Sequence, residues 1–141
     1  MVLPSGVAVS PSGAAPTVIA VPALRPDVAI VHAQEADREG NVQLWGIPGV
    51  QKEAILAAQR SLVTVERIVD ELELRPSGIV IPGWVISAVA EAPGGSRPSY
   101  SLGITDRDND FYKFWDKMSR DRDQFIEWMN ENVLGKELSN Q

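Results

Sequence analysis

The chain of 141 residues contains no cysteine and only one histidine, His32. Without thiols it can build neither a disulfide framework nor a thiolate nucleophile, and a zinc site would have to draw at least three ligands from carboxylates. No metal site is expected. Cations are also scarce, since 13 Lys and Arg face 19 Asp and Glu, for a formal net charge of -6. No face gathers the basic residues at regular spacing, so the chain lacks the electrostatic footprint of a nucleic-acid binder. Long apolar runs are missing too. None approaches the roughly 20 residues that a membrane-spanning helix needs. The opening Met1–Pro16 has no basic start, and Pro4, Pro11 and Pro16 interrupt its apolar stretches, which makes it a poor signal peptide. The expectation is a cytoplasmic chain with no membrane partner.

What remains is an ordinary globular composition, 44% hydrophobic and 23% charged, enough apolar material for one packed domain. Residues 1–16, rich in Ser, Gly, Ala and Pro, read as a flexible lead-in, residues 17–135 as the domain and residues 136–141 as a tail. Thr17–Val21 and Val28–Ala33 have the β-branched and apolar character of strands. The second is a continuous apolar run, as expected of a strand buried on both faces. Glu35–Asn41 reads as a loop at its end. Val50, Ala54, Ala57 and Ala58 recur at helical spacing, predicting a helix over Gly49–Arg60. Leu62–Val65 and Ile79–Ile81 read as further strands. Trp84, Val85, Ala88 and Val89 mark a helix that stops before Pro93-Gly94-Gly95.

This order predicts an α/β fold, an open and mostly parallel sheet flanked by helices, with the Gly49–Arg60 helix as a crossover. Near the C-terminus, Asp106 is placed to cap a helix carrying Phe111, Phe114, Trp115 and Met118 on one face. A second helix starts near Arg120 and carries Phe125, Trp128, Met129 and Val133, with Gly135 as its stop. The pair forms a helical hairpin whose aromatic stripes are suited to packing.

His32 is the one side chain that titrates near neutrality, and it lies on a strand near the place where open α/β sheets hold their ligands. Gln34, Asp37 and Asn41 share that strand and loop and have the hydrogen-bonding groups to meet a carbonyl or carboxylate. The acidic run Asp106–Asp110 imitates the start of a calcium loop. It then carries Phe111 where the turn glycine belongs and Lys117 where the closing glutamate belongs, so it reads as a solvated helix start. No G-x-S-x-G elbow occurs, and Gly94-Gly95 opens no phosphate-binding motif.

The string VPALRPDVAIVHAQEADREGNVQLWG (Val21–Gly46), with its H-A-x-x-A-D turn and following G-N, resembles the A-type subunit of family I CoA-transferases. KEAILAAQRSLVTVERIV (Lys52–Val69) and IPGWVISAVAEAPGGSRPS (Ile81–Ser99) continue the resemblance, and DNDFYKFWD (Asp108–Asp116) favours the glutaconate CoA-transferase-like branch. The resemblance implies the C-terminal half of an A-type subunit, with the CoA-transferase and sugar-phosphate isomerase type of fold. It also implies transfer of CoA from an acyl thioester to a free carboxylate through a glutamyl-CoA thioester on a partner B-type subunit. No residue of this chain inherits that glutamate's role, so no catalytic residue is assigned and the isolated chain is expected to be inactive.

His32, Gln34 and Asn41 match the family's strand-end motif. Trp84, Pro93 and Gly94 fall in segments that the resemblance places near the subunit interface or crevice. His32, Gln34, Asn41, Trp84 and Gly94 are therefore the candidate substrate-binding residues. The implied partners are a B-type subunit, an N-terminal A-type fragment and acyl-CoA, in an oligomer. Coenzyme A enters as the substrate thioester, with no permanently bound cofactor. The E-A-P-G-G segment at Glu91–Gly95 also resembles steroid-ring-cleaving CoA-thioester hydrolases, which leaves a hydrolase subunit or a non-catalytic partner-binding remnant as alternatives.

Overall fold

A computed structural model of the chain describes residues 21–135. The expected strand Thr17–Val21, apart from its last residue, the lead-in and the tail lie outside the described residues. The core element is β1 (Val28–Asp37), a ten-residue strand at the centre of a five-stranded sheet. After a tight turn the chain returns as β2 (Val42–Leu44), runs through α1 (Gln51–Ala57) and re-enters the sheet as β3 (Arg60–Val69). β4 (Ile79–Ile81), a 3-10 turn over Gly83–Val85 and β5 (Ala88–Glu91) follow. The spatial order is β4-β2-β1-β3-β5. β1, β3 and β5 are mutually parallel neighbours, while β2 runs antiparallel between β1 and β4. Four of the five strands therefore point one way, and α1 lies in the connection that brings β3 parallel to β1.

Several boundaries differ from the sequence reading, each because sheet pairing overrode a local signal. Glu35–Asp37 belongs to β1 rather than to a loop, since pairing with β3 continues from Glu35↔Arg67 to Asp37↔Val69. Glu35 is buried there and forms an ion pair with Arg67, which offsets the cost of a charge in the sheet. The turn that follows is closed by Asp37, whose Oδ1 accepts from the Glu39 and Asn41 amides at 2.9 Å each. The helix expected over Gly49–Arg60 is shorter. The Gln59 and Arg60 amides donate to the carbonyls of Pro26 and Asp27, drawing the chain into the sheet beside the start of β1.

The helix expected around Trp84–Val89 is a single 3-10 turn followed by β5. Its helical spacing is overridden by pairing of Leu62–Val65 with Ala88–Glu91. Local propensity is a weak preference, and here the ladder offered by β3 overrides it.

At the C-terminus α2 (Asn109–Met118) and α3 (Arg122–Met129) form the expected hairpin, and a π-turn over Asn130–Leu134 leads to Gly135. The cap of α2 is Asp108 rather than Asp106, because the Asp108 carboxylate is the one that accepts from the Phe111 amide, at 2.8 Å. Asp121 caps α3 in the same manner. The aromatic stripes meet each other: Trp115 and Trp128 pack edge to face at 4.9 Å between centroids, with Phe111 and Phe125 each about 6.0 Å from Trp115.

The core holds Val31, Ala33, Val63 and Val65 with Ile55 of α1, and Val42, Leu44 and Ile81 beside them. Gly83 marks a point where two backbones touch. A Cβ there would lie 2.5 Å from the Glu39 carbonyl oxygen and 2.9 Å from the Gly40 carbonyl carbon, neither of which can swing aside. Gly83→Ala is therefore expected to push apart the 37–41 turn and the 3-10 turn and to cost about 1–3 kcal/mol, as overpacking does. Chemical denaturation of the two proteins measures this, and an unchanged midpoint would remove the close approach from the account.

Candidate functional site

The register of β1 and β3 sets His32 beside Thr64, and Glu66 lies two residues further along the same face. The imidazole Nε2 is 3.1 Å from Glu66 Oε1 and Nδ1 is 2.9 Å from the Thr64 hydroxyl. A carboxylate only accepts, so Nε2 carries a proton and donates it to Glu66. Glu66 is almost fully buried and collects further donors from the loop after β5. Its Oε2 accepts from the Gly94 amide at 2.6 Å, and its Oε1 from the Ser96 and Thr105 hydroxyls at 3.3 and 3.2 Å.

Burial alone would push this carboxyl upward. The Gly94 amide, the His32 imidazole and the Thr105 hydroxyl outweigh it and hold the acid below the usual glutamate range. One buried carboxylate thus clasps the 94–105 loop onto the sheet, and Gly95 lies so close over the His32 ring that a Cβ would come within 2.9 Å of Cε1.

The clasp shapes a cleft of about 170 Å³. His32 and Gln34 line it together with Trp45, Ile47, Pro48 and Gln51 from the β2–α1 segment and Ser96, Ser99, Tyr100 and Ser101 from the loop. The Gln34 side chain is tied to the Trp45 backbone, donating to its carbonyl at 2.9 Å and accepting from its amide at 3.3 Å. Trp45 in turn donates its indole N–H to the Leu102 carbonyl at 2.8 Å, so the two walls are tied across the cleft. Apart from His32, whose two ring nitrogens are held by Thr64 and Glu66, the polar side chains lining it are amides, hydroxyls and the Trp45 indole. Such a lining suits a small acceptor, a carbonyl or carboxylate, and lacks the cations that a phosphate would call for.

Of the residues singled out from sequence, His32 and Gln34 line the cleft and Gly94 lies beside it, with its amide on Glu66. Asn41 and Trp84 sit apart. The Asn41 side chain accepts from the Gly83 amide at 2.9 Å and donates to Asp37 at 2.8 Å, pinning the 3-10 turn that carries Trp84, itself 85% exposed. Asp37 likewise closes its own turn. Sequence reasoning missed Glu66, Thr64 and Thr105. The signal available was a polar pair, Thr64 and Glu66, within an otherwise apolar strand. Among the described residues no group of three or more His, Cys, Asp or Glu is arranged to hold a metal, and no helix is long and apolar enough to cross a membrane.

The described residues form a mixed α/β sheet with flanking helices, and a polar crevice forms where the loop after β5 crosses one face of it. Comparison with known proteins narrows the class. Residues 5–92 match the family model described as coenzyme A transferase, more than half of the chain, and the chain belongs to that family. It is 57% identical over 116 residues to the A-type subunit of 3-oxoadipate CoA-transferase from Pseudomonas knackmussii, covering 82% of this chain and 41% of the relative. It is 40% identical over 119 residues to the A-type subunit of glutaconate CoA-transferase from Acidaminococcus fermentans, covering 83% of this chain and 37% of the relative. The solved glutaconate coenzyme A-transferase of that organism superposes with a TM-score of 0.78 at 37% identity over 88% of this chain and 40% of the other. The chain thus spans about two-fifths of the length of these relatives.

The lowered pKa of Glu66 has a definite consequence for stability. A carboxyl held lower in the folded than in the unfolded state stabilises the fold above its unfolded value, and that contribution is lost as pH falls through the lower folded value. The wild-type chain is expected to keep its stability down to the ordinary glutamate range and to lose it below. Glu66→Gln, which forfeits the charge and leaves one donor facing another, is expected to cost about 1–3 kcal/mol at neutral pH and to flatten the acid limb. Denaturation curves taken from pH 7 to pH 3 read both effects, and an acid limb preserved in Glu66→Gln would assign it to other groups.

Proposed function

We propose that this chain supplies the A-type portion of a cytoplasmic enzyme that moves CoA from an acyl thioester to a free carboxylic acid. The observation that carries the reading is the family match joined to a scaffold superposing at TM-score 0.78 on a glutaconate CoA-transferase. The covalent step belongs to a glutamate of a B-type subunit: its carboxylate takes up the acyl group, released CoA thiolate then attacks the glutamyl carbonyl to form glutamyl-CoA, and the first acid leaves. Relatives named as the A-type members of their enzymes support such a partner. Buried carboxylates of this chain are poor candidates for that nucleophile. Both oxygens of Glu66 are engaged by donors, and Glu35 is held by Arg67 and Arg75.

This chain's contribution is the cleft. Gln51, Ser99, Tyr100 and Ser101 present neutral donors to a carboxylate of the acid, while the His32–Glu66 clasp fixes the loop that carries three of them. The named relatives act on 3-oxoadipate and glutaconate, both dicarboxylic acids, which favours a short dicarboxylic acyl group. A second reading, hydrolytic ring cleavage of a cyclic CoA thioester, is favoured by 30% identity over 137 residues to the cholesterol ring-cleaving hydrolase IpdA subunit of Mycobacterium tuberculosis, covering 94% of this chain and 47% of the relative.

Assembled with the remaining A-type sequence and a B-type subunit, the chain is expected to transfer CoA between dicarboxylic acids, while alone it forms no covalent CoA adduct. Replacing Tyr100 by Phe and Ser99 by Ala together is expected to raise KM for the acid about tenfold, the equivalent of about 1.4 kcal/mol, with little change in kcat. Steady-state kinetics and mass spectrometry after borohydride trapping check these outcomes. A CoA adduct on a glutamate of this chain would overturn the assignment of roles, and hydrolytic opening of a cyclic acyl-CoA without CoA transfer would favour the second reading.

A further inference from the structure

The apolar run Val28–Ala33 reads as a strand buried on both faces, yet β1 alternates strictly in exposure over this stretch. Ala29 and Val31 are 6% exposed and Ala33 is inaccessible, whereas Val28 is 46% and Ile30 76% exposed. β1 is the central strand of the sheet, where such exposure of an isoleucine is unusual. Its neighbours repeat the pattern. The register places Ile30 beside Leu62, and Leu62 beside Ala88, so the three side chains form one row across β1, β3 and β5 on a single face. Leu62 is 43% exposed and Ala88 is also open to solvent. On this same face His32, one step further along β1, is covered by the Gly94–Thr105 loop. The cover ends there and the aliphatic row begins.

None of the described helices supplies the missing layer. α1 delivers Ile55 to the core that contains Val31, Ala33, Val63 and Val65, the residues that alternate with the bare row. α2 and α3 spend their aromatic rings on each other. Relatives that share this scaffold carry more than half of their length outside the matched region. We propose that the Ile30–Leu62–Ala88 row is the seat of an apolar helix face from that remaining portion of an A-type polypeptide, whether joined to this chain or separate from it. Parallel sheets are covered by helices, and the sequence of β1 is already written for such a cover. The inference rests on family membership and on packing, and is independent of whether the assembled protein transfers CoA or cleaves a ring by hydrolysis.

The test is co-expression of this chain with the part of the Pseudomonas knackmussii A-type polypeptide that lies outside the match, read as co-purification and affinity. The wild-type chain is expected to retain the segment. The double substitution Ile30→Lys and Leu62→Lys is expected to weaken capture at least a hundredfold, and Ile30→Thr with Leu62→Thr, which keeps strand-compatible side chains, at least tenfold. Because both side chains are exposed in this chain, its own thermal midpoint should move little. The same two lysines at the aligned positions of the full-length relative are expected to lower its midpoint by many degrees.

Equal capture by wild type and variants, no capture by a folded wild-type chain, or an unaffected full-length relative would each overturn the proposal. Loss of self-association alone in the lysine variant would overturn it in favour of a second copy, and loss of binding to the B-type partner alone in favour of that partner. Failure of CoA transfer in a complex that still forms would count against the proposed function and leave this interface standing.

Discussion

Glu66 is the residue on which the site depends. Burying a carboxylate costs several kcal/mol unless its oxygens are satisfied, and here the satisfying groups come from two distant stretches of chain. His32 belongs to β1, while Gly94, Ser96 and Thr105 belong to the loop after β5. The carboxylate can stay ionised in the interior only if that loop lies across the sheet, so the electrostatic requirement of one side chain fixes the course of the chain from Gly94 to Thr105. The cleft is a by-product of that course, closed on its far side by Gln34 and Trp45.

A different rule governs the rest of the sheet. Where the loop lies, the face is polar and satisfied. Beyond His32 it turns aliphatic and uncovered. The opposite face, with Ile55 packed on the valines of β1 and β3, is an ordinary hydrophobic core. The two halves of one face thus have different roles: the polar half holds a loop in place, and the aliphatic half offers about 25 cal/mol of gain for each square ångström that a partner element removes from water. Turn chemistry separates these regions from the exposed Trp84, which stands on a 3-10 turn fastened to the 37–41 turn through Asn41 and Gly83.

Legibility in the sequence followed the range of the interactions. The amphipathic pair α2 and α3 was readable because helix patterning and aspartate capping act within one or two turns, although Asp108 rather than Asp106 provides the cap. β5 was not readable, since Ala88–Glu91 carries a helical spacing that only the neighbouring β3 overrules. His32 and Gln34 stood out by type and position and do line the cleft. Asn41 and Trp84 stood out in the same way and do not, because their loop folds back on the 3-10 turn instead.

The sequence by itself determined the α/β class, the direction of the principal strands, the aromatic hairpin and the family, all properties carried by short strings and local periodicities. Only the tertiary structure decided which polar residues meet. His32 and Glu66 are 34 positions apart and Glu66 and Thr105 are 39 apart, and nothing in the intervening residues encodes their contact. It follows from the parallel register of β1 and β3 and from the need to satisfy a buried charge, both of which exist only once the chain has closed on itself.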